Sequence, residues 1–155
     1  MKSNLSKIYI LSILFLGFDQ FIKVIVSSNM NLYDSFTLIN NFLNITLVHN
    51  KGAAFGMFEG GRLFFILIEL ITIILTSLFI KKSSYISKLD IAVYSLLLGG
   101  IIGNLIDRII HGYVIDYIDF NFLGFNFPIF NFADICIVLS ILLIIINTIR
   151  EDLWN

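Results

Sequence analysis

The chain has little charge, a single proline and a single cysteine. Of its 155 residues, 14% are Asp, Glu, Lys or Arg, against about 25% in an ordinary soluble domain. That is too little polar surface to cover a water-soluble core. The net charge of −1 excludes the clustered basic surface that a nucleic-acid partner demands. A lone Cys136 excludes an internal disulfide and any multi-cysteine metal site. The two histidines, His49 and His111, form no His-Glu-x-x-His zinc pair, and no Gly-x-Ser-x-Gly elbow exists to present a serine nucleophile. What the chain has instead is hydrocarbon: 58% hydrophobic residues, sixteen of them Phe. This is the composition of an integral membrane protein.

Crossing a bilayer as a helix takes about 20 mostly apolar residues, and 17 can suffice. Four segments meet that length: residues 8–26, 63–80, 89–110 and 132–149. Asp19, Gln20 and Lys23 interrupt the first and no small-x-small cleavage site follows it, so it reads as a retained span, not a signal peptide. Lys2, Lys7, Lys81, Lys82, Lys88 and Arg150 flank one side of the membrane, and Lys51 and Arg62 the other. This bias places both termini in the cytoplasm and the two longer loops outside. In those loops, Asn44-Ile45-Thr46-Leu47-Val48 alternates as a strand does. Residues 120–130, with Gly124-Phe125-Asn126 near their middle, suggest a hairpin. The expected fold class is a mainly α membrane domain over residues 1–155, with four transmembrane helices and a small extracytoplasmic antiparallel β element.

An ionisable residue inside a span is costly and needs a reason. Here such residues gather at the outward end. Asp19 and Lys23 are four apart on the first span, and Asn104, Asp107 and Arg108 lie at the end of the third with helical spacing. Asn131 and Asp134 open the fourth span, and Asp116 and Asp119 lie in the loop before it. Glu69, in the second span, stands apart: it is expected to snorkel outward or to hydrogen-bond to a neighbouring helix, and no functional role for it is evident. With zinc and serine chemistry absent, and no Ser in the polar cluster to pair with Lys23, carboxylates remain. Two neighbouring Asp side chains cannot both ionise easily, so one keeps a proton. The charged one can then deprotonate water while the neutral one donates to a carbonyl oxygen. That is aspartic-protease chemistry, and it needs no cofactor.

Four blocks, in order, resemble lipoprotein signal peptidase (signal peptidase II), the bacterial membrane aspartyl protease. They are Asp19-Gln20-x-x-Lys23; Asn50-Lys51-Gly52-Ala53-Ala54-Phe55-Gly56; Gly99-Gly100-x-x-Gly103-Asn104-x-x-Asp107-Arg108 with Val114-x-Asp116-Tyr117; and Phe130-Asn131-x-Ala133-Asp134. The resemblance implies a catalytic dyad of Asp116 and Asp134, shaped by Asn104, Asp107, Arg108, Asn131 and Ala133. It also implies that Asp19, Lys23, Asn50 and Gly52 contact substrate or hold its binding region. The implied substrate is a prolipoprotein whose cysteine carries a diacylglyceryl group in contact with membrane lipids, cut just before that cysteine. Globomycin-like cyclic peptides are the implied inhibitors. Two positions depart from the family pattern: Tyr117 stands where Phe is common, and Ile135 where a small polar residue often follows the second Asp.

Each residue also has an ordinary role open to it. Asn131 and Asp134 make a good helix start as N-cap and N3 acid. Asp119 competes with Asp116. Asp19 with Lys23, and Asp107 with Arg108, could be ion pairs that hold the bundle. Residues 50–56 read equally as a turn in which Gly52 and Gly56 supply positive φ. Gly99, Gly100 and Gly103 suit close helix packing, and Cys136 is packing. The main rival function is a transporter or channel subunit with an ion path. Such a path needs polar groups through the whole bilayer, whereas the cytoplasmic halves of these spans are almost purely apolar.

Overall fold

The structure is a computed structural model that describes residues 2–52, 60–122 and 124–154. Its elements run α1 (Lys2–Asn29), β1 (Ser35–Ile39), β2 (Leu43–Asn50), α2 (Arg62–Lys82), α3 (Lys88–Ile110), β3 (Val114–Phe122), β4 (Phe125–Asn126) and α4 (Phe132–Trp154). All four helices are long and apolar enough to cross a membrane. The strands lie between α1 and α2 and between α3 and α4, so connectivity alone puts the whole sheet at one end of the bundle. Ala53, Ala54, Phe55 and Gly56 of the second block lie outside the described residues.

Local chemistry sets the helix limits. Ser87 caps α3: its Oγ accepts from the Asp90 N–H at 3.0 Å, while the Ser87 N–H donates to Asp90 Oδ2 at 2.8 Å. This capping box satisfies two donors that the first turn would otherwise leave free. At the other end Gly112, at φ +85°, donates its N–H to Arg108 O at 3.2 Å, a left-handed stop that glycine takes without strain. Gly60 and Gly124 are the other left-handed glycines among the described residues.

Helix α3 is the centre of the bundle and the most buried span, whereas α2 is the least buried. The three α3 glycines are where neighbours come closest. A Cβ on Gly99 would sit 2.7 Å from Phe15 Cβ of α1, one on Gly100 2.5 Å from the Ala133 carbonyl oxygen of α4, and one on Gly103 2.5 Å from Asp19 Oδ2. Within lipid there is no hydrophobic drive to bring helices together, so close backbone approach supplies the packing energy. At the far end, Ile8, Ile80, Ile86 and Leu98 form an apolar cluster joining α1, α2 and α3.

The strands form one antiparallel sheet in the order β1-β2-β3-β4. Strand β2 contains the alternating segment expected of a strand, and β1 is an additional strand that pairs with it. The expected hairpin over residues 120–130 begins earlier, because β3 starts at Val114 and turns at Gly124 into the two-residue β4. Asp116 and Asp119 therefore lie on a strand, not in a loop. The register pairs Ile45 with Ile118 but Val48 with Asp116, so β2 carries one extra residue opposite β3 there. Such a bulge bends the strand and re-aims the side chains beside it. Val26 of α1 packs with Leu47, Ile115 and Tyr117 and fastens the sheet to the bundle.

The glycine contacts lead to a test. Replacing Gly100 by Ala should lower the thermal midpoint of the detergent-purified protein, by an amount matching about 1–3 kcal/mol of overpacking. Gly17→Ala, where a Cβ meets nothing within 4 Å, should leave the midpoint unchanged or raise it slightly.

Candidate active site

The polar residues that the sequence places near one membrane level meet in one connected network where α1, α3, α4 and β3 come together. At its base is Lys23, wholly buried. Its Nζ lies 2.9 Å from Asp19 Oδ2 and 2.8 Å from Asp107 Oδ2, and it donates to Asn104 Oδ1 at 3.1 Å. Each carboxylate then holds a different backbone. Asp19 Oδ1 accepts the Ala133 N–H at 2.9 Å, and Asp107 Oδ2 accepts the Ile115 N–H at 3.0 Å. Gln20 closes the group by donating to Asp107 Oδ1 at 3.0 Å and to Asp19 Oδ2 and the Gly103 carbonyl at 3.2 Å. Asp19 with Lys23 is thus an ion pair that also orients α4 and, through Asp107, β3.

Above this base stand Asp116 and Asp134. Asp116 Oδ1 accepts from Asn131 Nδ2 at 2.7 Å, and its Oδ2 accepts from Asn50 Nδ2 at 2.8 Å. Asp134 Oδ1 accepts from Asn104 Nδ2 at 2.8 Å. Its Oδ2 accepts the Asn131 backbone N–H at 3.2 Å, while its own N–H donates to Asn131 Oδ1 at 2.9 Å. Asn131 and Asp134 therefore do cap α4, and Asn131 in addition spans from one carboxylate to the other. Its Nδ2 also reaches Asn104 Oδ1 at 3.2 Å. Burial first, and the neighbouring Asp134 carboxylate second, push the Asp116 acid up to about 7, against the lowering pull of the Asn50 and Asn131 donors.

Asp119, the rival of Asp116, is three residues on and so projects from the opposite face of the strand. It accepts from Thr46 Oγ1 at 2.8 Å and from Asn44 Nδ2 at 3.4 Å, within a polar ladder across the sheet. Tyr117 is buried, and its hydroxyl accepts the Phe132 N–H at 3.2 Å. The hydroxyl at this position thus ties β3 to the first turn of α4. The ring of Tyr113 stacks with those of His49 and His111, with centroids 3.8 and 5.8 Å apart, and the three line a cavity that neither Asp116 nor Asp134 lines. Cys136 is buried against α3.

Asp107 and Arg108 are adjacent, about 100° apart around α3, and reach different partners. Arg108 turns from the Lys23 group toward α2, where its Nη1 forms an ion pair with Glu69 Oε1. Its Cζ stands 4.9 Å from the centre of the Phe65 ring, and its Nη2 donates to the Gly52 carbonyl at 3.5 Å. The Gly52 N–H in turn donates to Asn50 Oδ1 at 2.9 Å. Of the two expectations for Glu69, the bond to a neighbouring helix is the one observed, while the sequence offers no functional role and no indication of which residue is the partner. Its partner lies 39 residues away, beyond any local pattern.

A cavity of about 420 Å³ opens over these groups, lined by Asp116, Asp134, Asn50, Asn104, Arg108 and Phe65, with apolar walls from Phe127 to Phe130 and Val138. It holds two carboxylates, two amides and a guanidinium on one side, and hydrocarbon on the other. Among the described residues, no three His, Cys, Asp or Glu side chains are grouped as a metal site requires. The chemistry that the lining offers is proton transfer by carboxyl groups beside an apolar surface.

The chain is also similar to known proteins in sequence and in fold. The family model for signal peptidase (SPase) II matches residues 11–150. Lipoprotein signal peptidases of Staphylococcus aureus strains JH9 and Newman are 44% identical over 135 residues, covering 86% of this chain and 82% of theirs. Two solved structures, described as bacterial membrane enzymes determined by the in meso method, superpose closely. One, at 2.3 Å resolution, has a TM-score of 0.89 at 37% identity and covers 95% of this chain and 90% of its own. The other, at 1.9 Å resolution, has a TM-score of 0.85 at 38% identity and covers 94% of each chain. By family model, relatives and fold, the chain belongs to the signal peptidase II family and is a multi-pass membrane protease.

Proposed function

We propose that the protein is an aspartyl endopeptidase that removes the signal peptide from diacylglyceryl-modified prolipoproteins, cutting just before the lipidated cysteine. The observation that carries this reading is Asn131. One residue holds Asp116 with its side-chain amide and Asp134 with its backbone and carbonyl oxygen, so the two acids are fixed relative to each other over one cavity. The names of the relatives support the substrate class.

In this mechanism the pair shares one proton. The ionised carboxylate takes a proton from water as the water oxygen attacks the scissile carbonyl carbon, and the neutral acid donates its proton to the carbonyl oxygen. The tetrahedral intermediate collapses as one of its hydroxyls returns a proton to the acid that had donated, the C–N bond breaks, and the proton taken from water passes to the leaving amine. The products are a signal peptide ending in a carboxylate and a lipoprotein with a free cysteine amine. Asn50, Asn104 and Asn131 orient the acids; Lys23, with Asp19 and Asp107, holds the frame beneath them. Arg108 offers guanidinium N–H groups to peptide carbonyls, and the Gly52 corner and the small Ala133 leave room for the chain. No cofactor is required.

The distribution of Lys and Arg supports cytoplasmic termini and a site at the extracytoplasmic face of the cell membrane. There the acyl chains of the substrate stay in lipid against the apolar wall of the cavity, while the peptide bond beside them reaches the acids. Globomycin-like cyclic peptides are expected to occupy the same cavity and inhibit.

Purified wild-type protein should cleave a diacylglyceryl-cysteine peptide on the amino side of that cysteine. Folded Asp116→Asn and Asp134→Asn should lose about 10³-fold or more of that rate, as measured by mass spectrometry of the products. Full activity in Asp116→Asn would remove it from the dyad. The rate should also fall as pH rises through about 7, where the acid raised on Asp116 gives up the shared proton, and a pH–rate profile of kcat/KM reads this limb. Each buried methylene contributes about 0.8 kcal/mol of lipid affinity, so the same peptide without its diacylglyceryl group should show a much lower kcat/KM. Equal cleavage of both would contradict the proposed role of the lipid.

A further inference from the structure

Glu69 is the only ionisable residue between Arg62 and Lys81, in the least buried of the four helices. It is four residues from Phe65, so the two share one face of α2. Together they form a socket for Arg108, the ring beneath its guanidinium and the carboxylate at its Nη1. The other oxygen, Glu69 Oε2, is buried and has no hydrogen-bond partner among the described residues. An ion pair like this gives little net stability, because desolvation offsets the attraction and an apolar pair of similar size would pack α2 to α3 as well. What a carboxylate adds is a fixed direction for a planar, forked cation.

That direction leads to the reacting groups. The Arg108 fork reaches from Glu69 to the Gly52 carbonyl. Gly52 holds the Asn50 side chain by its N–H, and Asn50 donates to Asp116 Oδ2. We infer that Glu69 is a positioning residue: through Arg108 and Gly52 it fixes the corner after β2, and so the donor that Asn50 gives to Asp116. The inference rests on the reading of Asp116 as half of the catalytic pair. Charged and polar groups face Asp116 from each packed element: Asn50 on β2, Asn131 and Asp134 at the start of α4, Lys23 on α1 and, across the cavity, Asn104 and Arg108 on α3. Of these, Asn50 is the one that both touches Asp116 and lies on the path from Glu69.

The test uses the full-length protein in lipid nanodiscs, as wild type, Glu69→Gln, Glu69→Asp and Asn50→Ala. Infrared difference spectra follow protonation of Asp116, whose carboxyl band is identified by its loss in Asp116→Asn. Asn50→Ala removes a donor that stabilises the ionised form and so sets the full upward shift of the Asp116 midpoint. Glu69→Gln should shift that midpoint in the same direction and lower kcat/KM on the lipidated peptide by about 10-fold to 100-fold, the scale of a small misplacement. Glu69→Asp, with its charge retained, should recover part of both, and it carries the test should Glu69→Gln not fold. An unshifted midpoint overturns the inference whatever happens to the rate or thermal midpoint, since a merely structural pair leaves Asp116 as it was. A wild type that does not cleave would overturn the proposed function, and the titration would still decide the role of Glu69.

Discussion

One buried ammonium organises this molecule. Lys23 sits between Asp19, Asp107 and Asn104 with almost no exposure, and each of those partners continues to a different element. Asp19 grips the first turn of α4 by the Ala133 N–H, Asp107 grips the start of β3 by the Ile115 N–H, and Asn104 holds Asp134. Three helices and the sheet are thereby oriented around a single charge. Apolar residues could press the same helices together at equal or lower cost. They would not dictate the rotation of α4 or the height of β3, and those two quantities decide whether Asp116 and Asp134 face one cavity.

The ion group can form only because α3 allows its neighbours to approach. Gly103 leaves no room for a methyl beside Asp19, and Gly100 stands against the Ala133 carbonyl of the very turn that Asp19 holds. Small residues and buried charge are therefore two parts of one arrangement. The glycines set how near the helices come, and the carboxylates set how they are turned. The apolar cluster at the other end, with Ile8, Ile80 and Leu98, has only packing to do.

Much of this was legible in the sequence, for identifiable reasons. The spans announce themselves by length and hydropathy. The residues of the polar group are visible because an ion in hydrocarbon needs a partner, and because i to i+4 spacing reveals a shared helix face. In the sequence, Asp116 is separated from Asp119 only by the family resemblance, because as loop residues the two look alike. On a strand, three positions mean opposite faces, and only Asp116 lies within reach of Asn50 and Asn131. Strand β1 escaped notice because five exposed residues carry no burial pattern. The partner of Glu69 was hidden for another reason: it sits on a different helix, and no local spacing joins them. Ala133 illustrates a subtler limit. Its contribution is a backbone N–H and a small volume, neither of which a side-chain pattern can show.

The length of α2 has a further consequence. At 21 residues it is about 31 Å long, close to the roughly 30 Å thickness of a bilayer's hydrocarbon core. Helix α1, at 28 residues, is far longer and can tilt or protrude. The short helix, with little slack, is the one that carries the Arg108 socket, about two turns from its sheet-side end. The depth of the guanidinium in the membrane is thus set by matching a protein length to a lipid length. Thickening or thinning the bilayer would strain this helix, which makes membrane thickness itself a variable acting on the cavity.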